Sequence, residues 1–319
     1  VAGEKVCLVI NPMSGAGRTA ARVELLQDLA RTVFGEVAVR LTSAQGEGTA
    51  HARAAAQAGA DLVIAVGGDG TANEVVNGVM LAGRPEVAFG LLPAGTGSDL
   101  AKTLAMPADW GEALGAIAAA PPAPTDVMIG TFTTDRGPLV RYGINVIGMG
   151  LAGRVVRYAN ESGKQLGGRA TFLISTLRAF ATHRPTSAAL SWETPEGDTG
   201  SWRGELLNVF IGNGRYCGGG MMTGPHARMD DGLLDIVIVE PTSVVRSLAG
   251  IRNLYDGTIG DLPHTATFRA RAITAEPIDG SVLLSDVDGE QPGRLPAEVR
   301  CLHGALQVRA PWMDGARAG

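Results

Sequence analysis

The stretch DLVIAVGGDGTANEVVNG, Asp61 to Gly78, decides how the fold is read. Asp61 to Val66 is an apolar, β-branched run of strand length, and the paired glycines that end it lead into a helix-like segment from Ala72 to Leu81. A strand, a glycine turn and a helix in that order make half of a parallel βαβ unit. The alternation continues on both sides. Lys5 to Ile10, Glu36 to Leu41 and Glu86 to Leu91 read as further strands, with Arg18 to Val33 and Glu47 to Ala58 as helices. Strand interiors that are almost continuously apolar are expected where helices cover both faces of a mostly parallel sheet.

Ligands of such sheets bind beyond the carboxyl ends of the strands. Three of the four strand ends carry unusual loops. They are Asn11-Pro12-Met13-Ser14-Gly15-Ala16-Gly17, then Gly67-Gly68-Asp69-Gly70-Thr71, then Pro93-Ala94-Gly95-Thr96-Gly97-Ser98-Asp99, while the second strand ends at Thr42-Ser43. Sharing one edge of one sheet, these loops converge. The glycines of Gly67 to Thr71 let the backbone approach a phosphate with no Cβ in the way, and the helix that follows aims its amides at the anion. Asp69 is then a carboxylate beside phosphates, which a divalent cation or bridging water reconciles, so a metal-nucleotide is the natural ligand. Asn11, Ser14 and Thr96 add donors. The Ser14 to Thr19 stretch lacks the GxxxxGK[ST] pattern, which excludes a P-loop NTPase.

A length of 319 residues suggests two domains. Cys7, Cys217 and Cys301 form no CxxC, which argues against a disulfide framework or zinc site and fits a reducing, cytoplasmic setting. Without an apolar run of spanning length, the protein is expected not to be integral to a membrane. The net charge of -5 and the lack of zinc-finger, RNP or basic-helix signatures argue against nucleic acid as a partner. Histidines without metal spacing, and the absence of HExxH and GxSxG, count against hydrolases.

Pro121 to Pro124 reads as a linker after a helix at Trp110 to Ala119, with a new domain from near Asp126. Beyond it come strand-like runs at Leu139 to Val146, Ala188 to Trp192, Leu206 to Ile211, Leu233 to Val239, Thr267 to Ile273, Ser281 to Leu284 and Leu306 to Arg309. They suggest an antiparallel sandwich or curled sheet. Leu151 to Ala181 is expected to be helical. The region from Gly150 to Pro185 holds Arg154, Arg157, Lys164, Arg169, Arg178 and Arg184 against Glu161 alone. A solvated helical face and a surface that docks on anionic membranes are both compatible with that excess. Asp230-Asp231-Gly232 precedes one strand and Asp288-Gly289-Glu290 follows another. Asp-Gly is also the commonest hairpin signal, so the residues alone leave a plain turn and a functional carboxylate both open.

Taken together, these segments resemble the diacylglycerol kinase catalytic family, especially its soluble bacterial members, relatives of sphingosine and ceramide kinases. The resemblance covers nearly the whole chain and rests on five ordered motifs. They are NPMSG at Asn11, GGDGTANEVVNG at Gly67, LPAGTGSDLA at Leu92, ARMDDGLLDIVIVE at Ala227 and DVDGEQPGRLPAE at Asp286. It implies an α/β nucleotide domain like that of NAD kinases and phosphofructokinases over residues 1–125, and an antiparallel β-sandwich lipid-substrate domain over residues 126–302. Residues 303–319 would pack back on the first domain, a helical excursion would lie near 151–183, and ATP would bind between the domains. The implied activity is transfer of the ATP γ-phosphoryl group to a lipid hydroxyl, in the first instance diacylglycerol to phosphatidic acid. A sphingoid base or other lipid alcohol, NAD, and a catalytically silent lipid-binding module are the alternatives.

By the same resemblance, nucleotide contacts fall on Asn11, Pro12, Met13, Ser14, Gly15, Thr42, Gly67, Gly68, Asp69, Gly70, Thr71, Ala72, Asn73 and Thr96. A structural magnesium (Mg2+) would use Arg228, Asp231 and Leu233, linked to the nucleotide through Asp69, Asp99 and Asp126. Glu290 matches the proposed general base. Ser98 stands where the family often has Asn. The implied partner is a lipid at a membrane surface, touched peripherally, and a homodimer is left open.

Overall fold

The computed structural model describes residues 3–94, 98–162, 174–176, 178–179, 182, 186–278 and 280–311. Its backbone contacts separate two compact units, Val1–Asp126 with Gly304–Gly319, and Val127–His303.

In the first unit, β1 (Val6–Ile10), α1 (Val23–Phe34), β2 (Val37–Leu41), α2 (Glu47–Gln57), β3 (Leu62–Gly67), α3 (Asp69–Ala82) and β4 (Ala88–Pro93) follow in turn. Then come α4 (Asp99–Thr103) and α5 (Trp110–Ala119). The strands are parallel in the order β2-β1-β3-β4. Leu8, Val9 and Ile10, the β3 residues Leu62 to Val66, and Leu91 and Leu92 are all fully buried, as the apolar runs require. One face packs on α1 and α5 through Leu26, Ala30, Phe34, Trp110, Leu114 and Ile117. Trp110 Nε1 donates to the Pro93 carbonyl at 3.0 Å, pinning α5 to the end of β4.

Helices α2 and α3 pack against each other so closely that a Cβ on Gly78 would sit 2.5 Å from Thr49 O and 2.6 Å from the Ala52 methyl. The buried Glu74 carboxylate accepts from Gly46 N at 2.7 Å and Gly48 N at 2.8 Å, and so caps the start of α2. The NEVVNG half of the central motif therefore builds a helix pair.

Two helix starts differ from expectation. Helix α3 begins at Asp69, three residues before Ala72. Gly68 is its extended N-cap, and first-turn amides need no intrahelical partner, so Gly70 does not break it. Helix α1 begins at Val23 rather than Arg18, because Gly15, Ala16 and Gly17 all adopt positive φ and turn the chain before a short 3-10 segment at Ala20–Arg22.

The second unit is a sandwich. Its strands are β5 (Ala123–Thr134), β6 (Gly137–Gly143), β7 (Val146–Gly150), β8 (Thr186–Glu193), β9 (Thr199–Leu206), β10 (Asn208–Gly212), β11 (Tyr216–Cys217) and β12 (Met221–Met222). They continue with β13 (Leu234–Val239), β14 (Thr265–Ala270), β15 (Ala272–Pro277), β16 (Ser285–Val287) and β17 (Arg294–Val308). One layer runs β17-β15-β8-β9, with the β5–β6 hairpin also joined to β17; the other runs β14-β13-β10-β7-β16. Phe132, Leu190, Ile273 and Val299 from the first layer meet Ile147, Val209, Ile236 and Val287 from the second in one core. From Gly304 on, β17 belongs to the first unit, and its last residues, Gln307 and Val308, pair there in parallel with Ala88 and Phe89 of β4.

Three expected strands are each two. Leu139 to Val146 divides into β6 and β7, Leu206 to Ile211 into β9 and β10, and Thr267 to Ile273 into β14 and β15, each pair belonging to opposite layers. Only one or two residues separate the two strands of each pair, so each pair reads as a single run in the sequence. Pro121 to Pro124 is likewise not all linker, since β5 starts at Ala123 and proline is tolerated at a strand's beginning. Helix α6 (Leu151–Ser162) covers the start of the expected helical segment, and residues 163–173 lie outside the described residues.

Candidate active site

The register of the parallel sheet brings the expected loops together. Ile10 pairs with Leu41 and Val66, and Gly67 with Pro93, so all four strands end at one level. Asn11 N donates to Val66 O at 3.0 Å, Thr42 N to Ile10 O at 2.9 Å, and Ala94 N to Gly67 O at 2.9 Å. Asn11 Nδ2 donates to Thr71 Oγ1 at 3.3 Å, joining the first loop to α3. A Cβ on Gly67 would lie 2.3 Å from that same Thr71 oxygen, which is why the position takes glycine. Within the first loop, Met13 N donates to Asn11 Oδ1 at 3.0 Å, and Ser14 Oγ donates to Asn11 O at 2.7 Å. Pro12, Met13 and Gly15 lie on this loop at the surface, with Met13 the most exposed.

Gly68 offers α3 no side chain as a cap, so the first-turn amides at Asp69, Gly70 and Thr71 form the positive end of a 14-residue helix at the loop edge. That is a site for an anion. Ala72 and Asn73 are fully buried, and Asn73 Oδ1 accepts from Asn77 Nδ2 at 3.1 Å. Both are expected at the nucleotide, and any contact they make there comes from the backbone, because their side chains are buried. Thr96 lies outside the described residues.

Asp69 turns its carboxylate toward α4. Oδ1 accepts from Ser98 Oγ at 2.9 Å and Leu100 N at 3.0 Å, and Oδ2 accepts from Asp99 N at 3.1 Å. Ser98, in place of the usual Asn, caps α4 as well, accepting from Ala101 N at 3.2 Å. Asp69, Asp99 and Asp126, the acids expected in a water and metal network, each have protein partners. Asp69 ties two loops together, Asp99 pairs with Lys102 Nζ at 3.1 Å, and Asp126 accepts from Gly304 N at 2.7 Å.

Burial first, and the adjacent Asp99 charge second, push the Asp69 carboxyl up to about 6 against the pull of its three hydrogen bonds. The sign follows. A carboxyl raised above its unfolded value favours the fold fully at pH below about 4, and that contribution is lost as pH rises through about 6. The stability of wild type relative to Asp69→Asn is therefore expected to fall by about 3 kcal/mol between pH 4 and 6.5 and to stay level above. Urea unfolding across that range measures it, and a difference that rises with pH would mean that the charged form is the favoured one.

In the second unit, Asp288 and Gly289 are the two central residues of a tight hairpin turn with φ of 50° and 90°, closed by Val287 N to Glu290 O at 2.8 Å and Glu290 N to Val287 O at 2.9 Å. The turn reading of Asp-Gly is correct, and it has a second purpose. The buried Asp288 accepts from three consecutive amides, Ile144 N at 2.8 Å, Asn145 N at 3.0 Å and Val146 N at 2.9 Å. Glu290 leaves this clamped turn half-buried. Asp286 Oδ1 accepts from Gly289 N at 2.8 Å, and burial, then the nearby Asp288 and Glu290 charges, hold its carboxyl well above the usual range despite that bond. Glu290 thus lies near the Asp286 and Asp288 carboxyls, on a turn held by Asp288. Sequence reasoning passed over Asp286, though it stands inside the quoted motif.

At the other acidic turn, Gly232 has φ of 73° and Asp231 Oδ1 accepts from Leu233 N at 3.1 Å. Asp231 Oδ2 is held by the Arg269 guanidinium. Arg228 Nε pairs with Asp230 at 3.3 Å. A divalent ion asks for oxygen ligands with uncommitted lone pairs. The one carboxylate of the expected magnesium set is already bound to a cation, so these residues as arranged do not fit that ion. Among the described residues there is no group of three or more His, Cys, Asp or Glu side chains placed to hold a metal.

Of the basic segment, Arg157 and Arg178 both pair with Glu161, at 3.0 and 3.8 Å, and Arg154 donates to Thr182 O at 3.5 Å. Lys164, Arg169 and Arg184 lie outside the described residues. Among the described residues no helix is long and apolar enough to cross a membrane.

Known proteins share this arrangement. Residues 5–129 match the diacylglycerol kinase catalytic domain, and residues 145–310 match the YegS C-terminal NAD kinase beta sandwich-like domain. The chain is 36% identical to a "Probable lipid kinase YegS-like" of Chromohalobacter salexigens over 73% of its own length and 70% of the relative's. It is 32% identical to a protein of the same description from Pseudomonas syringae pv. tomato, over 86% and 84%. The crystal structure of a "putative diacylglycerol kinase" from Bacillus anthracis superposes with a TM-score of 0.75 at 25% identity, covering 96% of this chain and 97% of that one. Yeast NADH kinase, solved with NADH, superposes at 0.52 with 13% identity over 99% and 87%, a likeness of fold alone.

Proposed function

We propose, from the premise that the chain belongs to the diacylglycerol kinase catalytic family of YegS-like lipid kinases, that it transfers the γ-phosphoryl group of ATP to the hydroxyl of diacylglycerol. The observation that carries the nucleotide half of this reading is the uncapped first turn of α3 at the common end of four parallel strands. Its amides, with Asn11 and Ser14 holding the neighbouring loop in shape, are donors for the polyphosphate. ATP arrives as its magnesium complex, so that cation belongs to the substrate, where it offsets phosphate charge.

In the reaction the lipid hydroxyl oxygen forms a bond to the γ-phosphorus while the bond from that phosphorus to the ADP oxygen breaks. The hydroxyl proton passes to Glu290, leaving a lipid phosphate monoester and ADP. Glu290 is suited to this because its turn is fixed by Asp288 and its side chain is partly open. The protein's contribution is chiefly to position the reactants and neutralise charge. Asp69 is a strut that aligns two loops and is not the base. The lipid acceptor implies peripheral contact with a membrane surface.

A panel of diacylglycerol, monoacylglycerol, sphingosine and ceramide in mixed micelles with ATP and magnesium, read by mass detection of the product, tests the acceptor. Phosphatidic acid is the expected main product. A sphingoid phosphate formed faster would replace diacylglycerol in this proposal while leaving lipid phosphorylation standing.

A further inference from the structure

The resemblance to known kinases places a structural magnesium on the carboxylate of the Asp230-Asp231-Gly232 turn, yet a side chain of the protein already holds that carboxylate. Arg269 lies on β14 directly opposite Asp235 of β13 in the antiparallel ladder. Its Nε is 3.4 Å from Asp235 Oδ1, and its other end reaches Asp231 Oδ2. The guanidinium therefore bridges two carboxylates, one buried and one only 21% exposed. The backbone register sets the Arg269 residue opposite Asp235, within reach of the turn. A planar guanidinium also stays charged at any working pH and can serve both carboxylates at once. Around it, Gly232 turns with positive φ against the His303 ring, 3.3 Å from where a Cβ would stand, so the turn has a packed wall on its other side.

We propose that Arg269 is the resident cation of this turn, taking the place of the structural divalent ion, so that the chain holds its Asp-Asp-Gly turn without bound metal. The metal requirement of the enzyme then reduces to the ion that arrives with the nucleotide. Removing the guanidinium would leave two carboxylates, Asp231 and Asp235, facing one space, which is a set of hard oxygen ligands that a divalent ion can use.

Thermal unfolding of the full chain without nucleotide tests this, in EDTA and in millimolar MgCl2 or CaCl2, with NaCl matched for ionic strength. The wild-type midpoint is expected to be the same in all three. Arg269→Gln is expected to unfold several degrees lower in EDTA and to recover with MgCl2 or CaCl2. A wild-type midpoint that rises with the divalent ion and falls in EDTA, with Asp231→Asn abolishing the rise, would overturn the proposal. So would an Arg269→Gln variant that folds and gains no response to metal. Should that variant fail to fold, calorimetric titration of EDTA-treated wild type with CaCl2 decides, because saturable binding that Asp231→Asn removes contradicts a resident arginine and its absence supports one. None of these readouts depends on kinase activity.

Discussion

Glu290→Gln is expected to lower kcat for lipid phosphorylation by roughly two to four orders of magnitude, the usual worth of a general base. The reason is local. Gln keeps the size of the side chain, and the turn that carries it is held by backbone bonds between Val287 and Glu290 and by Asp288, none of which needs the Glu290 carboxylate. Folding and nucleotide binding are therefore expected to survive. The thermal midpoint, and its rise on adding ATP with magnesium, should stay near the wild-type values while turnover collapses. Turnover within a few fold of wild type would remove Glu290 from the role.

The neighbouring residue is expected to behave in the opposite way. Asp288→Ala leaves three consecutive amides, Ile144 to Val146, without their acceptor in a buried place, and each such group costs about 1–3 kcal/mol. It also puts alanine at a φ of 50°, where aspartate is better tolerated. A loss of roughly 3–9 kcal/mol in the second unit is expected from the three orphaned amides. A urea titration followed by circular dichroism measures the loss. Asp288→Asn, which keeps an acceptor and suits the left-handed turn, should lose distinctly less. An alanine variant as stable as wild type would show that the clamp is dispensable. The contrast separates two acidic residues only two positions apart, one proposed to act in the chemistry and one in holding the fold.

How much of this was legible in the sequence depends on whether the determining contacts are local. The parallel sheet and its helices could be read because each strand's burial is written in its own residues, as in Leu62 to Val66. The convergence of Asn11, Gly67 and Pro93 at one edge followed from the parallel order. The corners of the sandwich were not legible, since a single residue separates β9 from β10 and β14 from β15. Nor were the partners of charged groups. Nothing near Glu74 announces that it caps α2 from another helix, and nothing near Arg269 announces that strand register sets it against Asp235 and Asp231. Asp69 shows the same limit from the other side. Its residue type and loop suggest a place beside metal and phosphate, and nothing in them announces that it also caps α4. The fold class came from periodicity, and the division of labour among the acids came only from three-dimensional placement.

The central claim is that phosphate leaves ATP for a lipid. The direct measurement is to incubate the protein with γ-labelled ATP, magnesium, diacylglycerol micelles and NAD together, and then to partition the label between chloroform and water. Label in the chloroform phase that grows with time and vanishes in Glu290→Gln is the predicted result. Label that stays aqueous as phosphorylated NAD, with none in the lipid phase for any acceptor offered, would contradict it.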